Sequence, residues 1–277
     1  IRARYGSKSI TIGNLTHAYN QAARGNGFAQ EFVIDDATRE MIDKWGDVCD
    51  DLHTDLHECL GHGSGQLLPG VSADAIGSYG STIEEARADL FGLYYIADPK
   101  LTELGLTPSL EAYRSQYYTY MMNGLLTQLT RIQPGNEIEE AHMRNRALIA
   151  RWTLEHYPSA VKLVEQDGKT YVEITDYLEL RNAFATLLAE IQRIKSEGDF
   201  EASHTLVERY AVNVDAKLHN QLLERYRKLG IAPYKGFINP RMTLVKDNNG
   251  CPTNVRVDYT ETYEHQMLRY STEYGFL

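Results

Sequence analysis

Apolar residues recur at three- and four-residue steps through most of the chain, and at two-residue steps in only two places. From Asp35 the first pattern begins: Met41, Ile42 and Trp45 lead to Gly46, and Val48, Leu52, Leu56, Cys59 and Leu60 follow, which predicts two helices divided at the glycine. A turn-rich stretch then ends at Ser81-Thr82-Ile83-Glu84, the spacing of a capping box, so a helix is expected to open there and to close at Asp98-Pro99. Thr107-Pro108 predicts a long helix to about Arg131, with proline at its first position. After a turn at Pro134-Gly135, Asn136 is placed to cap a helix that runs to Tyr157 and stops at Pro158. Asp176 and Asp199 are placed to open helices ending near Gly198 and Gly230.

Two-residue alternation flanks Asp167-Gly168 over 161–175, and it flanks Asp247-Asn248-Asn249-Gly250 from Phe237 to Val245 and from Val255 to Tyr259. Both predict β-hairpins. A short last helix is expected from Glu261, whereas residues 1–34 hold no sustained period and read as an irregular lead-in. The expected fold class is mainly α: a helical domain over 35–235 with one or two small β-hairpins, followed by 236–277 as a C-terminal hairpin and short helix.

Composition narrows the function. With 277 residues, 43% hydrophobic and 24% charged, the chain can close one sizeable core around a site. Its net charge of −10 is spread without long blocks of either sign, which argues against nucleic acid or an anionic membrane as partner. No apolar run approaches the roughly 18 residues of a spanning helix. The odd count of cysteines, Cys49, Cys59 and Cys251, without metal-type pairing fits a reducing compartment, and a cytoplasmic location is expected. The first residue is Ile1 rather than Met, so a leader or a preceding domain is expected upstream.

The candidate chemistry lies in His53-Thr54-Asp55-Leu56-His57-Glu58-Cys59-Leu60-Gly61-His62. A zinc hydrolase needs two imidazoles from one helix, a third ligand from elsewhere, an open position for water and a carboxylate beside that water. His57 and His62 supply the imidazoles and Glu58 the base, but ligands five apart on a regular helix stand roughly 140° out of line. An extra residue in the turn, a π-type bulge, would bring them together, and Gly61 would ease it. His53 and His57, four apart, are the competing pair. A third ligand is offered by Glu84, Glu85 or Asp89: Glu85 on the metal, with Glu84 and Asp89 hydrogen-bonded to the outer nitrogens of the histidines, would complete the site. Arg146, Lys235 and Arg241 could meet the carboxylate of a bound ligand.

His57-Glu58-Cys59-Leu60-Gly61-His62 and Glu84-Glu85-Ala86-Arg87-Ala88-Asp89 resemble the paired H-E-x-x-G-H and E-E-x-R-A-[DE] motifs of the dipeptidyl peptidase III family, and the cysteine is similar to that of its bacterial members. Glu140-Ala141-His142-Met143-Arg144-Asn145-Arg146 is similar to a further family stretch. The resemblance implies Zn2+ as cofactor, Glu85 as third ligand, Glu58 as base, and His142 as donor to the oxyanion. It also implies short peptides as substrates, cut to release dipeptides from the amino end. Family members have two lobes, the lower encoded largely before the zinc motif. With 56 residues ahead of His57, this chain is expected to represent the upper, catalytic lobe plus a C-terminal strip of the lower, its partner being the missing N-terminal lobe. Two alternatives stand beside this reading: another two-His-one-Glu zinc endopeptidase or aminopeptidase, and a non-catalytic peptide-binding protein with a structural zinc.

Overall fold

The computed structural model describes residue 13, residues 25–231 and residues 239–275. It is mainly α with two small antiparallel hairpins, and it divides into two compact units, the first ending at Gly230.

In the first unit a short helix α1 (Phe28–Phe32) already interrupts the expected lead-in. Helix α2 (Asp36–Leu56) starts on Asp35, whose side chain accepts from Thr38 N, and runs through Gly46 without a break. One glycine costs a helix only about 1 kcal/mol, too little to divide a helix anchored by packing at both ends. A π-helical turn, His57–His62, continues α2 directly. Helix α3 (Gly80–Ile96) grows from a 3-10 turn at Gly77–Tyr79 with no side-chain cap, so the expected capping box does not form. Its residues are buried nearly all round, including Ile83, Ala86, Leu90, Leu93 and Ile96. Such a helix keeps only a narrow side toward solvent, with Ser81 exposed and Glu84, Glu85 and Phe91 half-buried, and becomes the centre of a bundle; α3 packs on α2, the π-turn and two later helices.

Asp98 caps a short helix α4 (Pro99–Glu103). Helix α5 (Tyr113–Leu125) starts later than the proline signal implied, because 105–112 form their own turns: Leu106 N bonds Leu101 O at 2.8 Å, and Ser109 Oγ accepts from Glu111 N at 3.2 Å. A 3-10 turn, Thr127–Arg131, follows α5. Helix α6 (Ala141–His156) is capped by Glu140 rather than Asn136. The cause is tertiary: Ile138 is fully buried and its N–H bonds Val212 O at 2.9 Å, which keeps the preceding residues out of the helix.

Strands β1 (Val161–Gln166) and β2 (Lys169–Ile174) pair antiparallel about Asp167 and Gly168, both at positive φ as a two-residue hairpin turn requires. Helix α7 (Tyr177–Glu197) opens on Asp176 and ends at Gly198 with φ 69°. The stretch expected as one helix from Asp199 to Gly230 is divided into α8 (Phe200–Val207), a second π-turn (Glu208–Val212) and α9 (Ala216–Lys228), capped by Asp215. Arg151 on α6 accounts for the break, since its Nη1 donates to Tyr210 O at 3.1 Å and Asn213 O at 2.6 Å and holds the chain in an extended link.

In the second unit β3 (Arg241–Lys246) and β4 (Pro252–Asp258) form the other hairpin, and α10 (Tyr263–Tyr274) opens on Thr262. The first part of the expected strand, Phe237 included, lies outside the described residues. Among the described residues no helix is long and apolar enough to cross a membrane.

Candidate metal centre

The π-turn provides what a five-residue spacing needs. Its extra residue swings His62 back over His57, and their Nε2 atoms lie 3.0 Å apart. Glu85, on the first turns of α3, brings Oε2 to 3.4 Å from His57 Nε2 and 3.6 Å from His62 Nε2. Among the described residues, these three form the group whose ligand atoms lie within 4.8 Å of one another. Gly61 serves this arrangement differently from the expectation that it relaxes the bulge: a Cβ there would sit 2.6 Å from Ala88 Cα, so the glycine lets the π-turn touch the backbone of α3.

The outer nitrogens are held by carboxylates. His57 Nδ1 donates to Asp89 Oδ1 at 2.6 Å and His62 Nδ1 donates to Glu84 Oε1 at 2.8 Å. With both protons on Nδ1, both Nε2 atoms turn bare lone pairs toward each other and toward an anionic oxygen. Glu85 Oε2 is itself buried without a hydrogen-bond partner. Three electron-rich atoms so placed repel unless a cation lies between them. Their spacings match the edge of a ligand tetrahedron, about 3.3 Å for zinc bonds of about 2.0–2.1 Å. The residues therefore fit a zinc ion, and the same carboxylate-imidazole pairing orients ligands in zinc sites generally.

Without an ion the charges settle unevenly. Burial opposes protonation of His57, but the hydrogen bond to Asp89 and the charge of Glu85 outweigh it and carry its pKa to about 9. His62 is pushed down by burial and by the neighbouring His57. Asp89 is driven to about 2 against its own burial by the hydrogen bond from His57 and the positive field of His53 and His57. Glu85 is also lowered against its burial, by the three imidazoles around it.

His53 stands apart from the cluster. It is buried, its Nε2 faces Asp89 O at 3.3 Å, and its ring packs against Gly92 and Tyr120. Glu58 is half-buried in the π-turn, and its negative charge supports a proton on His62. His142, in the first turn of α6, is half exposed; Glu140 accepts from its Nδ1 at 2.6 Å, and its Nε2 lies 3.4 Å from Glu85 Oε2. Arg146, one turn on, is half-buried near Tyr120. Arg241 stands on β3 of the second unit, paired across the ribbon with Asp258, and Lys235 lies outside the described residues.

Three partners escaped sequence reasoning. Tyr120 of α5 donates to Asp89 Oδ2 at 2.7 Å, Arg87 grips Glu84, and Lys195 of α7 pairs with the same carboxylate. Arg87 is three residues from Glu84 on one helix face and was open to detection by that spacing. The other two come from distant helices and leave no local trace.

A model of peptidase family M49 matches residues 1–76 and 72–268. Dipeptidyl peptidase 3 of Mus musculus is 24% identical over 257 residues, covering 78% of this chain and 34% of the relative. The Homo sapiens protein of that name is 26% identical over 258 residues, with the same coverage. The chain thus spans about a third of the length of the curated relatives it matches. Among solved structures, dipeptidyl peptidase III from Caldithrix abyssi superposes with a TM-score of 0.63 at 23% identity, over 83% of this chain and 41% of that one. The enzyme from Corallococcus sp. strain EGB gives 0.62 at 22% identity, over 82% and 39%. These likenesses show the fold.

Proposed function

The chain belongs to peptidase family M49, and from that premise we propose that it carries the metal centre of a zinc-dependent exopeptidase that releases dipeptides from the amino end of short peptides. The observation that carries the reading is the convergence of His57 Nε2, His62 Nε2 and Glu85 Oε2, with both imidazoles locked from behind by carboxylates. Dipeptide release is proposed by analogy with the relatives that bear that name.

In this reading His57, His62 and Glu85 hold the ion, while Asp89 and Glu84 orient the two rings. A zinc ion in such a site supplies Lewis acidity, which polarises a carbonyl and makes water a nucleophile near pH 7. Glu58, beside His57 in the π-turn, takes the proton of the attacking water and returns it to the leaving amine. His142, with Nδ1 fixed by Glu140, presents Nε2 as a donor to the oxyanion that develops on the scissile carbonyl. Arg146, Lys235 and Arg241 are the proposed contacts for a peptide carboxylate, and 236–277 is proposed to belong to a second lobe. The test is the product pattern of a tetrapeptide incubated with the full-length protein and zinc. Release of a dipeptide supports the reading; release of a single amino acid or a cut within a longer peptide points to a different zinc peptidase, and no cleavage to a binding role.

Metal binding is expected to release a proton. The raised pKa of His57 means that its protonated pairing with Asp89 stabilises the metal-free protein fully below about 6.5 and is lost as pH rises through about 9. An ion must displace that proton, so apparent zinc affinity rises about tenfold per pH unit between roughly pH 7 and 9 and then levels off. Titration calorimetry in two buffers of different ionisation heat measures the proton count. An affinity flat across this window would contradict the His57 assignment.

A further inference from the structure

Arg87 is the bulkiest side chain that the described residues bury completely. Burying a guanidinium is costly unless its donors are met, and here the fork is almost fully used. Nε donates to Glu84 Oε2 at 3.1 Å, and Nη2 donates both to Glu84 Oε1 at 2.9 Å and to the Gly61 carbonyl at 2.7 Å. Nη1 lies 3.3 Å from Ser64 Oγ, just beyond the π-turn. The ring of Phe91 sits 5.6 Å from Cζ. Gly65, at φ 84°, passes so close that a Cβ there would come 3.0 Å from Nη1.

The two ends of this fork belong to different parts of the centre. Gly61 is the residue before His62, in the turn that carries both histidines; Glu84 precedes Glu85 on α3 and accepts the Nδ1 proton of His62. One planar group therefore fixes the backbone that presents His62 and the carboxylate that orients its ring. The contact of Gly61 with Ala88 sets how near the π-turn lies to α3, but a backbone contact of this kind permits sliding. The Arg87 bridge does not, because bidentate guanidinium-carboxylate geometry is directional.

We propose that Arg87 is a positioning residue for the metal centre: by bridging Gly61 to Glu84 it keeps the π-turn from tightening to a regular helix, which would turn His62 away from His57 and Glu85. The inference rests on reading that centre as a metal site. Charge alone is a separate explanation, since Lys195 also brings a cation to Glu84. The two are separable, because lysine cannot reproduce a planar fork.

The experiment compares wild type, Arg87→Lys and Lys195→Met. Zinc affinity is read by chelator competition, ligand geometry by the absorption spectrum of bound Co2+, and the turn itself by amide hydrogen exchange over 57–64 in metal-free protein. Arg87→Lys is expected to bind zinc about 10–100-fold more weakly, as loss of an outer-sphere partner does, whereas Lys195→Met stays within about threefold of wild type. The Co2+ bands shift, and exchange over 57–64 accelerates, in Arg87→Lys only. Wild-type affinity and an unchanged Co2+ spectrum in Arg87→Lys would overturn the proposal, as would unchanged exchange in that variant. So would a loss of tenfold or more in Lys195→Met, which by itself decides against the bridge if Arg87→Lys does not fold. A wild type that takes up no zinc is a different failure, that of the metal reading. In that case exchange over 57–64 still tests whether Arg87 holds the turn.

Discussion

Glu58→Gln is expected to lower turnover of the full-length protein by about 10²–10⁴-fold, the range for loss of a positioned general base, while zinc content stays at its wild-type level. The amide matches the carboxylate in shape but cannot accept the proton of the attacking water. Glu58 lies outside the group of atoms that converge for a metal, which contains His57, His62 and Glu85, so the substitution removes no ligand. Steady-state rates on a dipeptide-releasing substrate, set beside metal analysis of the same preparation, check both halves. An active Glu58→Gln protein would remove the base from the mechanism, and a zinc-free one would place Glu58 among the ligands.

The second large effect separates the two histidine pairs. His57→Ala, His62→Ala and Glu85→Ala each remove one of three converging atoms, and the loss of affinity should exceed the about 10–100-fold typical of an outer partner. His53→Ala should keep the ion. Its ring is buried against Tyr120 and Gly92, with Nε2 turned to the Asp89 carbonyl, so its removal costs packing, about 1–3 kcal/mol of stability, and no ligand. Metal content after gel filtration and thermal unfolding of the metal-free proteins measure the two effects. Loss of metal in His53→Ala with retention in His62→Ala would reverse the ligand set.

Several elements were legible from local chemistry. Asp35 and Asp176 cap the helices expected of them, and Asp167-Gly168 turns the hairpin, because a carboxylate on free N–H groups and a glycine at positive φ act over three or four residues. The π-turn was legible for a different reason: two ligands five apart can converge only if the helix takes in an extra residue, so the spacing implies the distortion. Glu84 shows where such reasoning stops. Its position fits a capping box, but His62, Arg87 and Lys195 compete for the same carboxylate and hold it.

By itself the sequence determined the helical class, the two hairpins and the bulged turn, all of which follow from interactions within a few residues, whereas Glu85 as the third candidate ligand rested on a family resemblance, being 23 positions or more from either histidine. Only the tertiary structure decided where helices begin and break when a distant group takes their backbone. Val212 binds Ile138 and delays α6, and Arg151 binds Tyr210 and Asn213 and divides the segment before α9. It also decided the environment of the centre, bringing Tyr120 to Asp89, Lys195 to Glu84, and Ala88 so near Gly61 that no side chain fits between. The reason in each case is that packing between elements distant in sequence, α3 against its neighbours and α6 against the second π-turn, joins residues tens to more than a hundred positions apart, and no local pattern records which of them will meet.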